Sequence, residues 1–171
     1  MKMLSKSRYL NGLQCPKLLW TSVNAKYQLP EVDASTQFVF DEGHKVGELA
    51  HSLYPDGIQV PVDDFAQNLK LSRQYLSLRK PLFEPGFSPG RLYSRIDILV
   101  PAGDDDWDLV EVKSSTEPKE VNYHDVSFQR HCCHEAGLEI NRCFLVHINK
   151  QYVRQGNIDP RMLFKIKDIT E

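Results

Sequence analysis

Apolar residues recur at helical spacing from the start of the chain. Tyr9, Leu10, Leu13, Leu18, Leu19 and Trp20 fall within Ser5 to about Val23. Ser5 or Ser7 can cap this stretch, and Cys15-Pro16 interrupts it, because proline lacks the N–H that a continuing helix needs. After a loop with Pro30, Asp33 or Ser35 starts a helix through Phe38, Val39, Val46, Leu49, Ala50 and Leu53. Tyr54-Pro55-Asp56-Gly57 stops it. Ile58, Val60 and Val62 alternate as a short strand does, and Asp64 then caps a helix carrying Phe65, Leu69, Leu71, Tyr75, Leu76 and Leu78.

Strand character takes over further on. Pro81 to Phe87 reads as a short extended run and Pro89-Gly90 as a turn. Arg91 to Val100 and Trp107 to Ser114 read as strong strands joined by an acidic turn, Gly103 to Asp106, in an antiparallel meander. A helix is expected from about Val121 to Ala136, ended by Gly137. The nearly all-apolar Asn141 to Asn149 reads as a buried strand beside that helix. The expected fold is α/β, a small mixed sheet flanked by helices in the order α-β-β-β-α-β, with an N-terminal helical extension. Residues 1–80 form its mainly helical part and 81–171 its sheet-and-helix core, within one domain.

Composition narrows the class. A chain of 171 residues, 41% hydrophobic, buries roughly two-thirds of its unfolded surface and needs no disulfides. Its four cysteines are too few and irregular for a secreted framework. A net charge of −2 excludes a histone-like polycation but leaves room for a local basic cleft. No apolar run approaches the ~20 residues that span a bilayer, and the N-terminus has no secretory apolar core. The chain is therefore expected to be soluble, cytoplasmic and without a membrane partner.

The sharpest chemical signal is Asp97 in SRIDILV followed by Glu111 and Lys113 in LVEVKSS. Alternation puts Glu111 and Lys113 on one face of their strand. Asp97 points opposite to Ile96 and Ile98, and hairpin register can set it across from Glu111. Two carboxylates so placed repel unless a cation lies between them. A hard ion with oxygen ligands, Mg²⁺ or Mn²⁺, suits them. A neighbouring lysine can orient and help deprotonate the water that attacks a phosphodiester. Leu109, Val110 and Val112 make this strand internal, where charge on one face needs a reason.

The ordered set LSKSRYLNGLQCPKLLW, FDEGHKVGELAHSLYPDG, EVKSST and NYHDVSFQRHCCHEAGL resembles the PD-(D/E)XK nuclease superfamily. The likeness is to its RecB-like branch, which includes the CRISPR adaptation nucleases, and to a further bacterial family in that branch. The resemblance implies a restriction-endonuclease-like core and a metal-dependent deoxyribonuclease, an exonuclease on single strands or duplex ends. It implies that Asp97, Glu111 and the Val112 carbonyl bind Mg²⁺ or Mn²⁺ and that Lys113 acts on the attacking water. Gln129 matches the first residue of the branch's Q-x-x-x-Y motif, which holds DNA and the active site. Cys133 stands where that motif has tyrosine, with Tyr123 as a candidate substitute. A metal-binding histidine often follows G-x-x-V or G-x-x-x in the branch. Gly47 then leads to His51, which shares a helix face with His44; Glu48 is an alternative oxygen ligand.

The branch also places one N-terminal cysteine and three later ones around an iron–sulfur cluster. Cys15 stands at the first place. Cys132 and Cys133 are adjacent on a helix, about 100° apart, and cannot easily face one iron together. No cluster is expected in this chain, which is then a fragment of a longer protein or a form without one. A C-terminal region could supply a partner domain. The expected macromolecular partner is DNA. Arg95 and Arg91 beside the Asp97 strand, with Lys2, Lys6, Arg8 and Lys17, are candidates for phosphate contacts, and Tyr9, Trp20 or Tyr93 for base stacking. The alternative function is a catalytically incomplete nucleic-acid-binding or assembly module.

Overall fold

The computed structural model describes residues 2–171. In chain order, β1 (Leu4–Ser5) runs into α1 (Lys6–Gln14), α2 (Pro16–Asn24) and α3 (Ala34–His51). Then come β2 (Ile58–Gln59), α4 (Phe65–Tyr75), β3 (Leu82–Phe83), β4 (Gly86–Phe87), β5 (Leu92–Arg95), β6 (Ile98–Ala102) and β7 (Asp106–Lys113). The chain closes with α5 (Glu120–Glu135), β8 (Ile140–Ile148), α6 (Pro160–Leu163) and β9 (Phe164–Asp168).

Helices begin where a short oxygen side chain can take an otherwise unpaired N–H. Asp33 Oδ1 accepts from the Thr36 N–H at 2.7 Å, and Asp64 Oδ1 accepts from the Gln67 N–H at 2.6 Å. Ser5 caps α1 through the Arg8 N–H, and Pro16 sits at the first position of α2, where it lacks nothing. The N-terminal half of α3 leaves the sheet: Phe38, Val39 and Phe40 are exposed, and only its C-terminal half packs.

The strands form a mixed sheet in the order β2-β3-β6-β7-β8-β9 and a smaller one, β1-β5-β4. β6–β7 is antiparallel and β7–β8 parallel, with α5 as the crossover. α5 covers one sheet face, where Val126, Cys132 and Cys133 meet Leu82, Leu99 and Leu109. α3 covers the other, where Ala50, Val46 and Leu49 meet Phe83, Ile98 and Val110. The architecture is thus α/β, with mixed sheets between helices.

Arg91–Val100 is not one strand. It bends at Ile96–Asp97, opposite a matching break at Glu84–Pro85. The pairs Phe83↔Ile98 and Gly86↔Arg95 belong to the same continuous register, so the hairpin folds across the bend without slipping. Glu84 has φ +59, and its N–H donates to the Asp97 carbonyl at 3.1 Å. The bend also corrects the expectation that Ile96 and Ile98 share a side: Ile96 packs under α5 and Ile98 under α3. The Ile58–Val62 strand shortens to β2, since Val60 is buried but Val62 is exposed. Sequence reading missed β1, β9 and α6. β9 is an edge strand whose only buried residue is Phe164, so its sequence shows no apolar alternation.

Candidate active site

β7 delivers the central acid. Its alternation sends Val110 toward α3 and Leu109, Glu111 and Lys113 toward α5. Glu111 is 1% exposed, in the plane of the apolar core. Burying a carboxylate there requires partners, and three elements supply them. Lys113 Nζ donates to Glu111 Oε1 from the same strand. Gln129 Nε2 on α5 donates to Glu111 Oε2 at 2.6 Å. Lys6 Nζ, from the start of α1, lies 3.1 Å from Glu111 Oε1 and 3.3 Å from Oε2.

Asp125, one helical turn before Gln129, is a second buried carboxylate. It accepts from Lys113 Nζ at 2.7 Å and from Gln129 Nε2 at 2.9 Å, with Lys6 Nζ at 3.6 Å. Asp97 sits at the bend, continuing the register that pairs Ile98 with Val110 and so facing Glu111. Its Oδ2 accepts the Val112 N–H at 2.8 Å. A residue's N–H and C=O point to the same side of an extended strand, so the Val112 carbonyl is aimed toward Asp97. Glu84 lies beyond, paired with Arg95 at 2.5 Å.

These charges shape one another. Burial, and then the Glu111 charge, pushes the Asp97 carboxyl up to about 7. Burial works the same way on Glu111, but Lys6 and Lys113 overcome it and hold Glu111 down at about 2. Burial also works against the Lys113 ammonium, and Glu111 and Asp125 outweigh it, keeping the lysine charged. Asp125 is raised, by burial and by Glu111.

Asp97, Glu111, Val112, Lys113 and Gln129 therefore meet in one place. The other candidates lie elsewhere. His51 stacks on Phe83, ring centroids 4.0 Å apart, on the α3 side of the sheet, across from Glu111. His44 and Glu48 are on α3 too, away from the cluster. Tyr123 faces outward, accepting from Lys167 Nζ at 3.0 Å, and Arg95 is engaged by Glu84. Cys133 is fully buried under the sheet, so the Q-x-x-x-Y tyrosine position points into the core rather than the site. Cys15 is exposed, whereas Cys132, Cys133 and Cys143 are buried. Trp20 shares a groove with Lys2, Arg8 and Arg91; Lys2 is tied to the Val23 carbonyl and Arg8 to the Met3 carbonyl.

Sequence reasoning missed Lys6, Asp125 and Glu84 as members of this cluster. Asp125 had a signal, because it lies four residues before Gln129 and so on the same helix face. Lys6 had none, since it reaches Glu111 only through the tertiary fold.

Among the described residues, no three His, Cys, Asp or Glu side chains converge closely enough to hold a metal ion by themselves. The oxygen set nevertheless matches a hard divalent cation: Asp97, Glu111 and the Val112 carbonyl. The Asp97 carboxyl is raised by burial and then by the Glu111 charge, and the buried Gln129 Oε1 has no hydrogen-bond donor. No family model matches the sequence, and no curated protein matches it. No helix among the described residues is long and apolar enough to cross a membrane.

Proposed function

We propose that the chain is a metal-dependent deoxyribonuclease on a restriction-endonuclease-like core, acting on single strands or duplex ends. The observation that carries this reading is the juxtaposition of Asp97 and Glu111 across a hairpin, with Lys113 on the Glu111 face. Asp97, Glu111 and the Val112 carbonyl would hold Mg²⁺ or Mn²⁺. The ion would supply Lewis-acid stabilisation of the negative charge that develops on the phosphate. Lys113, charged and one residue from Val112, orients the attacking water by donating a hydrogen bond. Gln129 and Asp125 keep Glu111 and Lys113 in place from α5. Arg95 stands at the rim, 42% exposed in its side chain, where a phosphate can draw it from Glu84.

A second reading is a nucleic-acid-binding module that does not cleave. It is favoured by the state of Glu111, whose two oxygens are already occupied by Lys6, Lys113 and Gln129. Lys113→Ala separates the two. The enzyme reading expects fluorescence anisotropy to show DNA binding within about threefold of wild type, with cleavage in Mn²⁺ lowered by about two orders of magnitude or more. A wild-type protein that binds DNA and cleaves none with any metal supports the module.

A further inference from the structure

We propose that Lys6 is a built-in counter-ion that competes with the divalent cation for Glu111, so that the N-terminal segment sets how tightly the site takes a metal. This rests on the metal-nuclease reading above. The Lys6 ammonium sits within 3.6 Å of Asp125 Oδ1 and closer still to both Glu111 oxygens. A divalent ion on Glu111 would stand next to that ammonium, and two cations at such range repel strongly in a part-buried site.

The placement is a local anomaly that the carboxylates explain. Lys6 is the first residue of α1, where the helix dipole disfavours a cation, and no acidic side chain in that turn offsets it. The backbone is nonetheless clipped there. The Leu4 N–H donates to the Arg91 carbonyl at 2.8 Å, and β1 pairs with β5, the strand that runs into the Asp97 bend. Ser5 caps the helix on the other side. The Lys6 side chain is 25% exposed, and its flexible four-carbon stem has the reach to carry the ammonium toward solvent while the backbone stays clipped. Lys113, equally exposed at 26%, is held closer, its Nζ 2.7 Å from Asp125 Oδ2 against 3.6 Å from Lys6 Nζ to Oδ1.

Calorimetric titration with Mn²⁺ tests this on wild type, Lys6→Met and Lys6→Arg, each also with Glu111→Gln to place the ion. Lys6→Met is expected to bind Mn²⁺ about tenfold tighter or more, and Lys6→Arg within about threefold of wild type. Metal-free Lys6→Met is expected to melt below wild type, and saturating Mn²⁺ to close the gap. If Lys6→Met is unfolded without metal, recovery of its circular dichroism on adding Mn²⁺ supports the competition, and no recovery overturns it. Unchanged or weaker Mn²⁺ affinity in a folded Lys6→Met overturns the role of Lys6 and leaves the metal site standing. Absence of Mn²⁺ binding in every protein, or binding that Glu111→Gln does not alter, overturns both.

Discussion

Asp97 is an acid held on the protonated side of its usual range by burial and by Glu111 beside it, up to about 7 in the metal-free protein. The unfolded chain releases this proton near the ordinary carboxylate value, the folded chain near neutrality. Asp97 thus contributes stability that is complete at low pH and is lost as pH rises from about 4 to about 7. Glu84 and Asp125, also raised, slope the same way. Glu111, held down at about 2, slopes oppositely, but only below pH 4.5. His51, which burial lowers, slopes oppositely within this window; the three raised carboxyls outnumber it, and metal-free wild type is expected to melt lower at pH 8 than at pH 5. In Asp97→Asn that difference should shrink. An equal pH slope in wild type and Asp97→Asn, followed by thermal melts in chelator, would contradict the assignment. Glu111 and Lys113 were legible because strand alternation is a local rule, and Asp97 because it precedes them by one hairpin. Lys6 was not, because the 105 residues separating it from Glu111 leave no periodicity to read.

At the scale of elements, the bend in the long hairpin decides where Asp97 points. Sequence shows a run of β-formers at Arg91–Val100 and gives no sign of the break, because the cause lies in the facing strand. Glu84 takes a left-handed conformation there, and Asn68 Nδ2 from α4 holds the Glu84 carbonyl at 3.0 Å. Gly86 completes the crossing: a Cβ there would strike Asn68 Oδ1. Gly86→Ala should cost about 1–3 kcal/mol by overpacking. Gly43 and Gly47 lie inside α3 with open space where a methyl would project, so alanine at either should stabilise by about 0.5–1 kcal/mol. Denaturant midpoints check both signs. β9 escaped sequence reading because only one of its residues faces the core. Phe164→Ala should cost about 3–5 kcal/mol, and Ile166→Ala, 54% exposed, far less. Equal losses would mean that β9 is not docked by Phe164.

At the scale of the whole molecule, the site stands where pieces distant in sequence converge. The start of α1 brings a cation, the bent hairpin Glu84 and Asp97, β7 Glu111 and a second cation, and α5 an amide and a fourth carboxylate. The α/β class was readable from period and capping, since most elements carry their own pattern, but the order was not complete: β1, α6 and β9 left no such pattern. Which element lies over which sheet face was not readable either, and that arrangement separates His51 from Glu111. With a net charge of only −2, attraction to DNA has to be local, so phosphate affinity alone says little about the chemistry. The decisive measurement is cleavage of end-labelled single-stranded and duplex DNA in Mg²⁺ or Mn²⁺, with wild type beside Glu111→Ala. Metal-dependent loss of the label from the ends by wild type, absent in chelator and in Glu111→Ala, is the expected result. Equal cleavage by both proteins, or none by folded wild type in either metal, would contradict a metal nuclease built on Asp97 and Glu111.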